Sequence, residues 1–275
     1  MSNRKLITFD YGATSGRAIL GNFDGEKLTI EEHHRFDNQP VMVNGHLYWD
    51  VLRLYHELKQ GLINIARTGI TEVDGIGIDT WGVDVVLLDK DGIMVNNPFH
   101  YRDTMTDDAM EKVFNKIPAR ELYTRTGTQF IKFNTLFQLS AIKEKFPRML
   151  ENAETMLFIP DYFNYLLTGI KSSEFSIVST SQMYNLETKD WDYELIEKLG
   201  IPTDILQKIT PSGKVLGDIL PETTAETGIK GKCISVCGHD TGSAVLAVPM
   251  KKGEKCAYLS CGTWSLIGCE LDEPV

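Results

Sequence analysis

No run of the sequence approaches the roughly 18 consecutive apolar residues that a membrane-spanning helix needs. The apolar Leu6-Ile-Thr-Phe stretch near the start ends at Asp10 and is too short for the core of a secretion signal, so a soluble, cytoplasmic chain is expected. Positive charge is in short supply: 28 Lys and Arg face 38 Asp and Glu, a net charge of -10 over 275 residues. Nucleic acids and anionic membranes are recognised through basic patches, so neither is an expected partner, and a small molecule is. Cysteine is sparse and late, at Cys233, Cys237, Cys256, Cys261 and Cys269, with no Cys-x-x-Cys pair and only His239 close by. That spacing argues against a metal cluster and for reduced, buried thiols acting as small hydrophobes. Two nucleotide signatures are also missing. There is no G-x-x-x-x-G-K-[ST], and no G-x-G-x-x-G leading into a helix, which sets aside a P-loop and a dinucleotide fold.

What is present is apolar material, 42% of the residues, enough for one large core or for one and a half smaller ones. Alternation over 5–10, 17–23 and 27–30, broken by a Gly-containing turn and by Asp24-Gly25, predicts three antiparallel strands. Asp50 can cap a helix whose apolar positions Val51, Leu54, Tyr55, Leu58, Leu62, Ile65 and Ala66 keep a period near 3.6 up to Gly69. Further strands are expected over 73–79 and, paired around Asp89-Lys-Asp-Gly92, over 83–95. Helices are expected near 106–116, 119–125, 135–145, 161–168 and 191–199, then a strand over 233–237 and a helix from about Asp240. This order fits an α/β fold of the ribonuclease-H-like kind, a mixed five-stranded sheet flanked by helices, better than a doubly wound sheet. The stretch 255–268 repeats the opening pattern of apolar strand, polar residue and Gly turn, which suggests an internal duplication. A domain over 1–245 and the first strands of a second, truncated unit over 246–275 follow, since some twenty residues cannot bury a core of their own.

Four groups of residues can carry chemistry. In Asp10-Tyr-Gly-Ala-Thr-Ser-Gly-Arg17 a tight turn can aim backbone N–H groups at a phosphate. Gly12 and Gly16 let the backbone approach, Thr14 and Ser15 add hydroxyls, Arg17 adds a cation, and Asp10 is placed for Mg²⁺ or its waters. A polar surface hairpin would look the same. In Cys237-Gly-His-Asp-Thr-Gly-Ser243, Asp240 follows an apolar strand and opens a helix, where the dipole favours an anion. It can cap that helix, accept a hydroxyl proton, or do both, and it is expected to stay ionised. In Asp79-Thr-Trp-Gly-Val-Asp84, carboxylates can bind sugar hydroxyls, Trp81 can cover an apolar sugar face, and Gly82 permits close approach; simple core packing is the competing role for Trp81. His100-Tyr-Arg-Asp103, with Gln129 and Asn134, supplies further polar groups that read as structural or as secondary sugar contacts.

These segments, with Phe133-Asn-Thr-Leu136, Pro160-Asp-Tyr-Phe163 and Ser260-Cys-Gly-Thr-Trp-Ser265, stand in the order found in the FGGY carbohydrate kinases, a family within the actin-like ATPases, and the chain resembles that family along almost its whole length. The resemblance implies ATP-dependent, Mg²⁺-dependent phosphorylation of a sugar, L-rhamnulose, at its primary hydroxyl in rhamnose breakdown. By the same resemblance Ala13, Thr14, Ser15, Gly16, Arg17 and Thr263 would contact ATP phosphates, and Gly82, His239, Asp240 and Thr241 the sugar, with Asp240 the proton acceptor. Another ketose or polyol as substrate, or a sugar-binding module without catalysis, are the alternatives, because such kinases carry a second actin-like domain that supplies the adenine pocket.

Overall fold

The structure is a computed structural model that describes residues 3–251, 253, 256–261 and 265–271. Its frame begins with β1 (Arg4–Tyr11), β2 (Ser15–Phe23) and β3 (Leu28–Asp37), an antiparallel meander with one register shift between Ala18 and Ile19. On β1, Ile7, Phe9 and Tyr11 are buried while the residues between them are not, the period-2 signature of a strand with one face on a core. That core is supplied by α1 (Val51–Ala66), whose Leu54, Leu58, Leu62 and Ile65 are all buried. Each such side chain contributes at most about 1.5–3 kcal/mol by leaving water. Asp50 caps the helix by accepting from the Arg53 amide.

The strand β4 (Gly75–Thr80) then lies parallel to β1, with Asp79 level with Asp10. A long excursion follows. It contains β5 (Val85–Leu88), α2 (Ala109–Phe114), α3 (Ala119–Thr126), α4 (Thr135–Lys145), β6 (Thr155–Phe158), α5 (Ile159–Thr168), α6 (Phe175–Val178) and α7 (Tyr193–Lys198). Here β5 pairs with β6, and α2, α4, α6 and α7 enclose a second core around Phe137, Leu139, Phe158 and Trp191. The helix α5 instead returns to the sheet, packing Phe163 and Leu167 into the first core. The chain closes the frame with β7 (Lys214–Asp218), α8 (Pro221–Thr227) beside α1, β8 (Lys232–Ser235) parallel to β4, and α9 (Asp240–Leu246). A last hairpin pairs β9 (Ala257–Cys261) with β10 (Ser265–Cys269).

The main sheet therefore runs β7-β8-β4-β1-β2-β3. It has six strands, one more than expected. The extra strand, β7, is an edge strand reading Lys-Val-Leu-Gly-Asp with a register irregularity against β8, and no continuous apolar run marks it. The cysteines also differ from expectation: Cys233 and Cys237 are buried, but Cys256 is only half-buried and Cys261 and Cys269 are exposed. Among the described residues no helix is long and apolar enough to cross a membrane.

Candidate active site

Parallel pairing brings the C-terminal ends of β1, β4 and β8 to one side of the sheet, where ligands gather in α/β folds. The turn after β1 is closed by the Gly12 amide on the Ser15 carbonyl (2.9 Å) and braced by Asn38, whose side-chain amide donates to the Gly12 carbonyl (2.8 Å). Among the described residues the amides of Ala13 and Thr14 donate to no protein group, which leaves them for an anion. Arg17 donates to Oδ2 of Asp10 from both Nε (2.9 Å) and Nη2 (2.6 Å). The second oxygen of Asp10 accepts from no protein donor among the described residues. Gly16 also has a packing reason to be glycine, because a Cβ there would collide with the Phe36 ring.

The segment carrying Asp240 is laced to the end of β4, where the Thr80 amide donates to the Gly238 carbonyl (2.9 Å). His239 is the N-cap of α9 and Asp240 its first residue. Oδ1 of Asp240 accepts from the Thr241 amide (2.6 Å) and hydroxyl (3.2 Å), with Nε2 of His239 at 3.5 Å. Burial pushes the Asp240 carboxyl above its ordinary range; His239 and the Thr241 donors oppose this, and Asp10 adds to it. The expectation of a plainly ionised Asp240 omitted that burial. His239 is pushed down by burial, which favours its neutral form. Asp79 completes the group: its Oδ1 is buried without a partner, and burial, then Asp10, then Asp240 drive its proton affinity well up.

Asp84 is not in this group as a free carboxylate. Its Oδ2 accepts from Nε1 of Trp49 (2.5 Å), Nε1 of Trp81 (2.8 Å) and the Tyr101 amide (3.3 Å), and its Oδ1 from Nε2 of Gln138 (2.8 Å). A sugar contact is expected of Asp84; in the structure it is buried and both of its oxygens accept from protein donors. Trp81 likewise stacks on Trp49 with ring centres 3.9 Å apart, a packed role. Between them Gly82 is half-buried against Thr180, and Val83 has φ +69°, a left-handed conformation that costs a β-branched residue about 1–3 kcal/mol. Val83 is held there by its amide on the Thr180 hydroxyl (3.0 Å) and by its carbonyl, which accepts from Thr135 (2.7 Å). Asp103 and Asn134 are structural: the first caps a 3₁₀ turn and accepts from Leu47, the second donates to Gln129 and Gln182. Thr263 lies outside the described residues.

Two features were missed in the sequence. Asn38 follows a strand with no local mark of its role. Glu174, fully buried, accepts from the Gly238 amide (3.0 Å) although it stands 64 positions earlier.

The strand ends thus bring together the carboxylates of Asp10, Asp79 and Asp240 and a turn whose Ala13 and Thr14 amides donate to no described protein group. The profile of the FGGY family of carbohydrate kinases, N-terminal domain, matches residues 5–247. A rhamnulokinase of Oceanobacillus iheyensis is 44% identical over 269 residues, 98% of this chain and 57% of the relative. One of Bacteroides thetaiotaomicron is 44% identical over 273 residues, 99% and 56%. A solved carbohydrate kinase of Novosphingobium aromaticivorans superposes with a TM-score of 0.83 at 23% identity, covering 100% of this chain and 58% of that one, a likeness that bears on the fold. The chain belongs to the FGGY family of carbohydrate kinases. It spans a little over half the length of the curated relatives it matches.

Proposed function

We propose that this chain is the sugar-binding part of a kinase that transfers the γ-phosphoryl group of ATP to the primary hydroxyl of L-rhamnulose, giving L-rhamnulose 1-phosphate. The observation that carries the reaction type is the placement of Asp240 at the start of α9, at the same strand ends as Asp10 and the turn with the free amides of Ala13 and Thr14. The sugar is supported by 44% identity to rhamnulokinases across nearly all of the chain. In this reading residues 1–245 form the sugar-binding domain and 246–275 open a nucleotide-binding one, and the protein works in the cytoplasm, where ATP is supplied.

Asp240 takes the proton of the attacking hydroxyl. Its Oδ1 is fixed by Thr241, which leaves Oδ2 for that hydrogen bond. A positioned base of modest strength is sufficient, since phosphoryl transfer depends chiefly on alignment and charge stabilisation. Gly82, His239 and Thr241 bound the sugar, and the turn from Ala13 to Arg17, with Thr263, receives the phosphates. Mg²⁺ fits the oxygen donors present: one oxygen of Asp10 is unpaired by protein, and Mg²⁺ takes one or two carboxylates, phosphate oxygens and waters. No group of three or more protein ligands is assembled among the described residues, so phosphates and water would complete its shell. When bound it would neutralise charge developing on the transferred group.

Calorimetry of the 275-residue chain with L-rhamnulose, L-fuculose, D-xylulose and glycerol, followed by ADP release with ATP and Mg²⁺, tests the reading. Saturable heat with rhamnulose ahead of the others is expected. Preference for another sugar would reassign the substrate. Sugar binding without sugar-dependent ADP release, even when a second actin-like domain is supplied on the same polypeptide, would leave a binding module.

A further inference from the structure

Glu174 has one of the most heavily used side chains in the molecule, and it joins the start of its own helix to segments 38 and 64 positions further on. It is 1% exposed and stands at the start of α6. Its Oε2 accepts from the Gly238 amide (3.0 Å), the Ser176 hydroxyl (2.5 Å) and the Ile177 amide (3.2 Å), and its Oε1 accepts from the Ser212 hydroxyl. The Ser176 hydroxyl, with its proton given to Glu174, accepts in turn from the His239 amide at 3.2 Å. Two consecutive amides of the segment that leads into Asp240 thus end on this one carboxylate, directly or through Ser176. The backbone of Glu174 is fixed as well, because its own amide donates to both oxygens of the buried Asp161 at 3.2 Å.

Amides that lose their acceptor in a buried site have no water to fall back on. The Gly238 backbone fits closely into the arrangement, since a Cβ there would stand 3.3 Å from Glu174 Oε2 and 3.2 Å from Pro160. We propose that Glu174 is a positioning residue: a carboxylate latch that sets the backbone of Gly238 and His239, and through it the direction in which α9 presents Asp240. The latch itself is independent of the kinase reading; its consequence for phosphoryl transfer rests on that reading.

The test compares the 275-residue wild-type chain with Glu174→Leu, Glu174→Gln and Ser176→Ala by amide hydrogen exchange and by NMR titration of the histidines. Glu174→Leu is expected to speed exchange of the Gly238 and His239 amides about 10- to 100-fold, as for loss of a hydrogen bond to a charged group. Glu174→Gln, which keeps one acceptor oxygen, should fall between it and wild type. Ser176→Ala should speed His239 alone. In Ser176→Ala, which keeps the Glu174 charge that raises His239, the titration midpoint of His239 should move up toward that of a solvated imidazole while that of His100 stays put, a change that uniform loss of stability does not produce. Unchanged exchange at Gly238 in a folded Glu174→Leu, or acceleration equal to that of the β1 and β4 amides, overturns the latch. If Glu174→Leu does not fold, unchanged exchange at His239 in Ser176→Ala overturns it. Sugar calorimetry on the same samples separates the two readings. An intact latch in a wild-type chain that binds no sugar sinks the functional proposal and leaves Glu174's role standing.

Discussion

Asp84 and Asp240 stand near the same strand ends, both half or fully withdrawn from water, and their surroundings could hardly differ more. Asp84 receives two indole N–H groups, a carboxamide and a backbone amide. Asp240 receives both donors of Thr241 on a single oxygen and has acidic neighbours, Asp10 among them. A buried carboxylate saturated by protein donors organises the structure around it, whereas one left with an open oxygen beside other negative groups stores an unmet demand for a proton, a cation or a hydroxyl. Read locally, the short motif that contains Asp84 offers a carboxylate for a sugar just as the one that contains Asp240 does. Only the donors, contributed from distant segments, separate the two.

The sharpest way to break this contrast is at the base itself. Asp240→Asn, in a protein that turns over sugar, is expected to lower kcat about 10²- to 10⁴-fold while the sugar affinity changes by no more than a few-fold. The thermal midpoint should stay close to wild type. Measured kcat within tenfold of wild type would remove Asp240 from the chemistry and with it the difference from Asp84.

Asp84 should respond in the opposite currency. Asp84→Leu leaves its donors unpaired in the interior and is expected to cost about 3–5 kcal/mol at pH 5 by chemical denaturation. Burial raises the folded pKa of Asp84 to about 7, with the hydrogen bonds from Trp49, Gln138, Trp81 and Tyr101 pulling the other way. The unfolded carboxyl titrates near 3.9, so between those values the folded state holds the extra proton. The stability contributed by this group is therefore greatest below about pH 4, declines as pH rises through the window to about 7, and is flat above it. The gap between wild type and Asp84→Leu should narrow over that window. A gap that widens with pH would mean that the donors hold an ionised Asp84 and that burial is the lesser influence.

Elements set by local pattern were legible in the sequence: the three-strand meander, the α1 stripe with its Asp50 cap, and the helix opening at Asp240. So were the turn at Asp10 to Arg17 and the residues around Asp240, because a strand followed by glycine and polar groups is a short-range signal. What escaped depends on partners far along the chain. Glu174 meets Gly238 across 64 positions and Asp84 meets Gln138 across 54. The strands β6 and β7 are four and five residues long, too short to show a period, and become strands through β5 and β8. Val83 in a left-handed conformation contradicts every local preference of a β-branched residue, and only Thr180 and Thr135 explain it.

The phosphate turn offers the mildest probe of the same distinction between residues that serve the fold and residues that face a ligand. The sequence pattern gives Gly16 the task of making room for a phosphate, and in the structure the space beside its Cα is filled by Phe36, which also packs on Tyr11 with ring centres 5.3 Å apart. Gly16→Ala should therefore destabilise the chain by about 1–3 kcal/mol through overpacking, with ligand present or absent. Phe36→Leu in the same chain should return part of that loss, giving a coupling energy of about 0.5–2 kcal/mol in a double-mutant cycle. Coupling near zero, together with a nucleotide affinity that falls while stability holds, would restore the ligand role to Gly16 and put it with Asp240 instead of with Asp84.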